Sequence, residues 1–244
     1  MPDLGFSTGA LSATNLPMND RIKFVRDLGC RAIEIGYARK ERFFTEPLKE
    51  IDLKILGSFD WVSVHAPGSR WKCQNDEESQ MVIREISAFH KRHRVSLVVF
   101  HPDSLVDPKM LDDAGFPIGI ENMDPNKPSF QRPEDLMPLL QKFPAWRFVL
   151  DFNHCYVNDP TQKLADEMLR ALGDRLAEKH ISGYGDETKL HIPLYETRQD
   201  TILSEASRSP SAPMIIESMC ADLVGAEKEY EYIKKHLDAQ NVGI

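Results

Sequence analysis

Short runs of apolar, β-branched residues recur along the chain, each followed by a longer stretch whose apolar positions repeat with helical spacing. The runs expected to form strands are 4–7, 32–35, 61–65, 97–101, 117–121, 147–151, 178–182 and 213–217. Asn19-Asp20 is placed to cap a helix through Leu28, which Gly29 ends. From Asp76 to His90, Val82, Ile86 and Phe89 share one helical face. Pro133 opens a helix carrying Leu136, Leu139 and Leu140, Pro160 precedes a helix over Leu164–Leu172 closed by Gly173, and Ala226 to Leu237 forms the last. Most of the strand runs are almost continuously apolar, as parallel strands covered on both faces must be. Eight strand-plus-helix units in a chain of 244 residues predict a single (β/α)8 TIM barrel over residues 1–244. A doubly wound open sheet would carry a glycine-rich phosphate loop after its first strand, and no GxGxxG follows Ser7.

The apolar pattern breaks at the ends of the strands. Strand three ends at His65, strand four at His101, strand five at Glu121 and strand six at Asp151, with His154 three residues on. Strand seven contains His180, with Asp186 and His191 in the loop after it, and strand eight ends at Glu217. Of the eight histidines, only His90, His93 and His236 fall on or beside expected helices. A lone histidine there is usually a hydrogen-bonded core residue, and a lone carboxylate is often a helix cap. Six successive strands ending this way are different. Barrel active sites lie at the C-terminal ends of the strands, and so many buried polar groups on one rim require a neutralising partner such as a divalent cation. Imidazole with carboxylate suits Zn²⁺ or Mn²⁺ and not an all-oxygen Ca²⁺ cage. The set exceeds what one tetrahedral ion can take, so it allows two sites sharing a bridging carboxylate.

Composition narrows the partners. The chain is 41% hydrophobic and 28% charged with a net charge of −8, which disfavours nucleic acid and anionic membrane at long range. The basic run Lys91-Arg92-His93-Arg94 is read as a solvated helix end. No apolar run reaches the roughly 18 residues of a membrane span, and no secretory signal is visible at the N-terminus. Cys30, Cys73, Cys155 and Cys220 form no CxxC pair, so a reducing, cytoplasmic setting is expected. Trp71, Tyr156, Tyr184 and Tyr195 are the aromatic candidates for a pocket wall.

These residues, in this order and strand placement, resemble the xylose isomerase-like TIM-barrel superfamily. It includes sugar isomerases and epimerases and the endonuclease IV-type apurinic endonucleases. The resemblance runs from Gly5-Phe6-Ser7 to Glu217-Ser218-Met219. The epimerase branch implies a metal held by Glu121, Asp151, His180 and Glu217, with the two glutamates as an acid/base pair and His154 contacting substrate oxygens. The endonuclease branch implies a second metal on His65, His101 and Glu121, and a third on His154 with an Asp-x-His pair. Here His191 is present, but Lys189 stands where that aspartate is expected. The loop after strand seven also lacks an arginine at the spacing of a sugar-contacting residue. Glu34, in Ala-Ile-Glu-Ile-Gly-Tyr, sits where such barrels place a polar site residue; its other reading is a solvated strand end.

Two functions follow as expectations. One is a divalent-metal isomerase or epimerase of a small sugar or sugar phosphate; the other is a two-metal hydrolase of phosphate esters. Metal stoichiometry separates them, and an absence of turnover would favour a non-catalytic metal- or sugar-binding barrel. Specificity lies in the loops, so the residues do not name the substrate, nor do they set the oligomeric state.

Overall fold

The computed structural model describes residues 3–37, 40–68, 71–185, 191–209 and 211–241. Its eight strands are β1 (Leu4–Ser7), β2 (Ala32–Ile35), β3 (Trp61–His65), β4 (Leu97–Phe100), β5 (Ile118–Glu121), β6 (Arg147–Asp151), β7 (Leu176–Ile181) and β8 (Met214–Ile216). They close into a parallel barrel in chain order, with β8 pairing back onto β1. The helices are α1 (Met18–Asp27), α2 (Lys40–Thr45), α3 (Leu53–Leu56), α4 (Glu77–Arg92), α5 (Pro133–Lys142), α6 (Phe152–Asn158), α7 (Lys163–Leu172), α8 (Leu194–Thr197), α9 (Asp200–Arg208) and α10 (Leu223–Asn241). No helix among the described residues is long and apolar enough to cross a membrane.

The strands match the sequence pattern closely, and the differences have local causes. Pro117 and Pro213 lack an N–H, so β5 and β8 begin one residue later. Their carbonyls still accept from Val98 N (2.8 Å) and Lys179 N (2.9 Å). β7 starts earlier than expected because its register against β6 slips by one residue between Leu176 and Glu178. The helix pattern departs more. No α-helix joins β4 to β5; 3₁₀ turns at Pro102–Ser104 and Pro108–Leu111 stand there, each opened by a proline. Asn19 and Asp20 do not cap α1, which Pro17 starts instead. The Asn19 amide is spent on Glu50 O (3.1 Å) and Asp52 N (2.9 Å), tying α1 to the β2–β3 connection.

Side chains alternate across each strand, so one set meets the helices and the other fills the lumen. The outer set forms the main core, with Ile33, Val64, Val98, Ile120, Phe148 and Ile216 fully or almost fully buried beneath the helices. The inner set forms a separate apolar cluster of Leu97, Val99 and Val149, with Trp61 and Ala177 against it. This cluster is the floor on which the polar strand ends rest. Gly119 makes room for it: a Cβ there would lie 2.8 Å from Leu97 Cδ2 and 2.9 Å from Val149 Cγ2.

The closest approach lies between β1 and β2, where a Cβ on Gly5 would stand 2.2 Å from the Ala32 carbonyl oxygen. Gly5→Ala is expected to destabilise by about 3 kcal/mol or more, since the obstruction is backbone in a closed ladder. Gly173, with no neighbour within 4 Å of an added Cβ and a helical φ of −59°, is the control. Gly173→Ala should leave stability unchanged or raise it by about 0.5 kcal/mol. Denaturant midpoints measure both, and equal midpoints for the two variants would overturn the account.

Candidate metal centre

The strand-end residues converge at the C-terminal mouth of the barrel. Glu34, His65, Glu121, Asp151 and His180 lie on the strands themselves, while His101 and Glu217 directly follow β4 and β8. The Glu217 N–H still donates to Ile181 O (3.0 Å), which holds it in the ladder.

The Glu121 carboxylate, 1% exposed, stands at the centre. Its Oε2 lies 3.4 Å from His65 Nε2 and 3.3 Å from His101 Nε2. Its Oε1 lies 3.4 Å from His180 Nδ1 and 3.4 Å from His154 Nδ1. His180 Nδ1 is also 3.5 Å from Glu217 Oε2, which is 3.8 Å from His191 Nδ1. One donor atom each from Glu121, Asp151, His180 and Glu217 lies within 4.8 Å of all the others, and the same holds for His65, His101 and Glu121.

These separations fit divalent ions. Donors around a tetrahedral ion with bonds of about 2.1 Å stand about 3.4 Å apart. The contacts of Glu121 with His65, His101 and His180, and of His180 with Glu217, fall at 3.3–3.5 Å. That is long for a charge-assisted hydrogen bond. Glu121 Oε1, Asp151 Oδ2 and His180 Nδ1 are buried without a hydrogen-bond partner, each a costly state that a shared cation relieves. Glu121 offers one oxygen to each group, as a bridging carboxylate does.

Neighbouring groups fix the orientation of several donors. The Asn122 amide donates to Asp151 O (3.0 Å) and accepts from Asp151 N (2.8 Å), joining the ends of β5 and β6. Asp151 Oδ1 accepts the His154 N–H (2.8 Å) and caps α6, leaving Oδ2 for the centre. His65 Nδ1 donates to Ala66 O (2.7 Å) and His154 Nδ1 to Asn122 O (2.8 Å), so in each ring Nε2 becomes the lone-pair nitrogen once the imidazole is neutral. His191 adopts a left-handed φ of 60°, and its Nδ1 lies 3.0 Å from Ser182 Oγ.

Burial raises the carboxyl groups of Glu34 and Asp151, each to about 7, against the pull of neighbouring imidazoles. Burial acts on Glu121 in the same sense, but His180, His101 and His65 outweigh it and hold the carboxyl well below its usual range. Burial opposes protonation of His65, yet Glu34 and Glu121 lift it to about 10. Burial also opposes protonation of His180, which Glu217, Glu121 and Glu34 raise well above its usual value. Without a cation, imidazolium protons supply the neutralising charge.

A cavity of about 430 Å³ opens above this group. Its wall includes Glu34, His65, His101, Glu121, His154, His191 and Glu217, while Asp151 and His180 lie fully buried beneath. Glu34 is therefore a buried wall residue, 0% exposed with both oxygens unpartnered, and not a solvated strand end. The aromatic expectation fails for Trp71, which is buried in the core against Phe100, and for Tyr195, which borders a separate surface groove. Tyr37 stands on the cavity wall instead. Asp186 and Lys189 lie outside the described residues. Sequence reasoning missed Glu178, which the period-two rule places on the same side of β7 as His180. It also missed Asn122, Asn126 and Lys127, for which a single loop position gives no signal.

The closed parallel (β/α)8 barrel defines the architectural class, and solved structures share that fold. The chain is similar to a D-tagatose 3-epimerase-like protein (17% identity, TM-score 0.69, 100% of this chain and 99% of that one). It is also similar to D-psicose 3-epimerase from Clostridium cellulolyticum H10 (12%, 0.65, 98% and 99%). A third is a xylose isomerase domain-containing protein from Salmonella typhimurium LT2 (10%, 0.63, 98% and 97%). At these identities the likeness is one of fold: a closed (β/α)8 barrel of the kind those structures share. No family model and no curated protein matches the chain.

A cation entering this group must displace protons from His65 and His180, whose raised values leave them protonated at neutral pH. Affinity for Zn²⁺ or Mn²⁺ should therefore rise with pH between about 7 and about 10, by roughly tenfold per unit for each proton displaced. Calorimetric titration in two buffers of different ionisation enthalpy should show at least one proton released per ion. A buffer-independent heat would contradict this charge balance.

Proposed function

We propose that this protein is a divalent-metal-dependent isomerase or epimerase of a small sugar or sugar phosphate, using Zn²⁺ or Mn²⁺. The observation that carries the reading is the convergence of Glu121 and Glu217, from β5 and the end of β8, on His180 Nδ1 at 3.4 and 3.5 Å. The epimerases of like fold named above support the substrate class.

Glu121, Asp151, His180 and Glu217 would hold the ion. A bound ion would supply Lewis-acid stabilisation of the negative charge that develops on substrate oxygen. Glu217, at the cavity edge, and Glu121, at its floor, reach the substrate from different strands. One carboxylate can take a proton from carbon on one face while the other returns it on the opposite face. His154, with Nδ1 committed to Asn122 O, has Nε2 left for a substrate oxygen. Lys127 stands on the far wall, its ammonium 3.6 Å from Asp103 Oδ2, where it can meet a hydroxyl or phosphate. The apolar barrel floor excludes water from below.

A second reading, a two-metal phosphoester hydrolase, is favoured by one observation: Glu121 Oε2 meets both His65 and His101. Metal stoichiometry decides between them. One tightly bound ion supports the isomerase; a second ion lost in the His65→Ala/His101→Ala double variant supports the hydrolase.

Turnover should depend on Glu217 far more than on His191. Glu217→Gln removes a proton-transfer group as well as a ligand and should lower the rate by about 10²-fold or more. His191→Ala removes a ring whose approach to the proposed ligands is to Glu217, at 3.8 Å, and should leave measurable activity. Deuterium uptake from D₂O into a panel of ketoses and ketose phosphates reads the proton transfer. Equal losses in both variants would make His191 part of the core site and move the hydrolase into first place.

A further inference from the structure

Two residues before His180, Glu178 is fully buried between the apolar floor and the mouth of the barrel. The alternation of β7 directs Glu178 and His180 into the lumen, while Lys179 between them points outward and donates to Ala206 O (3.0 Å). A carboxylate in this position is costly unless both oxygens are satisfied. Here they are: Oε1 lies 3.0 Å from His180 Nε2, and Oε2 accepts the indole N–H of Trp61. Trp61 belongs to β3, opposite β7 in an eight-stranded barrel, so its ring reaches across the lumen to make that bond. The other carboxylate near His180 Nε2 is Glu34, whose Oε2 is 3.5 Å away and forms no hydrogen bond. The Nε2 proton therefore belongs to Glu178. The opposite nitrogen, Nδ1, has no hydrogen-bond partner and faces Glu121 and Glu217.

We infer that Glu178, braced by Trp61, is a positioning residue that holds His180 in the tautomer presenting Nδ1 to the ion and so sets the affinity of the centre. The inference rests on the metal reading above. Its physical basis is general: a carboxylate accepting from the remote nitrogen of a ligating imidazole fixes the ring and raises the basicity of the other nitrogen. Trp61 does not line the cavity, and its indole N–H reaches the centre through the carboxylate it braces.

The test is Zn²⁺ affinity by competition with a chromophoric chelator, alongside the melting temperature of the chelator-treated protein. Glu178→Gln should weaken Zn²⁺ binding by roughly 10–100-fold, because the charge is lost and an amide, with one acceptor oxygen, cannot accept from both His180 and Trp61. Trp61→Phe should weaken it in the same direction by less. Leu97→Ala, which removes packing from the same floor but no hydrogen bond, should lower the melting temperature and leave affinity unchanged. Should Glu178→Gln fail to fold, ¹⁵N NMR of the Zn²⁺-loaded wild-type protein reads the claim directly: His180 should show a hydrogen-bonded Nε2–H with Nδ1 on the metal. Wild-type affinity in folded Glu178→Gln, or metal on Nε2 of His180, would overturn the inference. A wild-type protein that takes up no Zn²⁺ would instead overturn the metal reading beneath it.

Discussion

Glu121 sets the terms for the rest of the site. Its carboxylate has almost no contact with solvent, and four imidazoles stand within 3.4 Å of its two oxygens. Such a charge cannot be tolerated alone in a protein interior; it must be shared among protons, hydrogen bonds or a cation. The surrounding sequence serves that need. Gly119 on the same strand leaves space for the floor beneath it, and Asn122 fastens the end of β5 to β6. Oε1 faces His180 and His154, Oε2 faces His65 and His101, and the mouth is thereby divided into two halves that meet at one side chain.

The division also sets the depth at which charge is placed. The charged groups lie deep, at and below the ends of the strands, and they are reached through a pocket of about 430 Å³. Among the described residues, the wall of that pocket mixes carboxylates, imidazoles and Lys127.

Much of this architecture was legible in the residues because a barrel strand obeys simple rules. Four of the eight strands, β1, β2, β3 and β6, have the boundaries the apolar runs suggest. The polar residue that ends each run falls at the mouth because chain direction and strand direction are the same. The resemblance to xylose isomerase-like barrels supplied the grouping of candidate ligands, whose donor atoms in each group lie within 4.8 Å of one another. What escaped was decided by partners distant in sequence. Asn19 looked like a cap until Glu50 and Asp52 competed for its amide. The stretch between β4 and β5 forms two short turns in place of a helix because Pro108 keeps Asp107 out of the helical region between them. Glu178 looked like an ordinary strand-start residue, since nothing nearby in sequence announces Trp61.

Asp151 carries one more consequence. Its two oxygens belong to different structures: Oδ1 holds the first turn of α6, and Oδ2 points into the centre. Fold and chemistry are therefore separated by a single atom. Asparagine could keep the cap while presenting an N–H where an acceptor is needed, giving a barrel that folds normally around a disabled centre. A change of that kind would pass unnoticed by quality control that senses only misfolding. Among relatives of this fold, loss of function need leave no trace in stability, and inactive descendants can persist as well-folded scaffolds free to acquire other work.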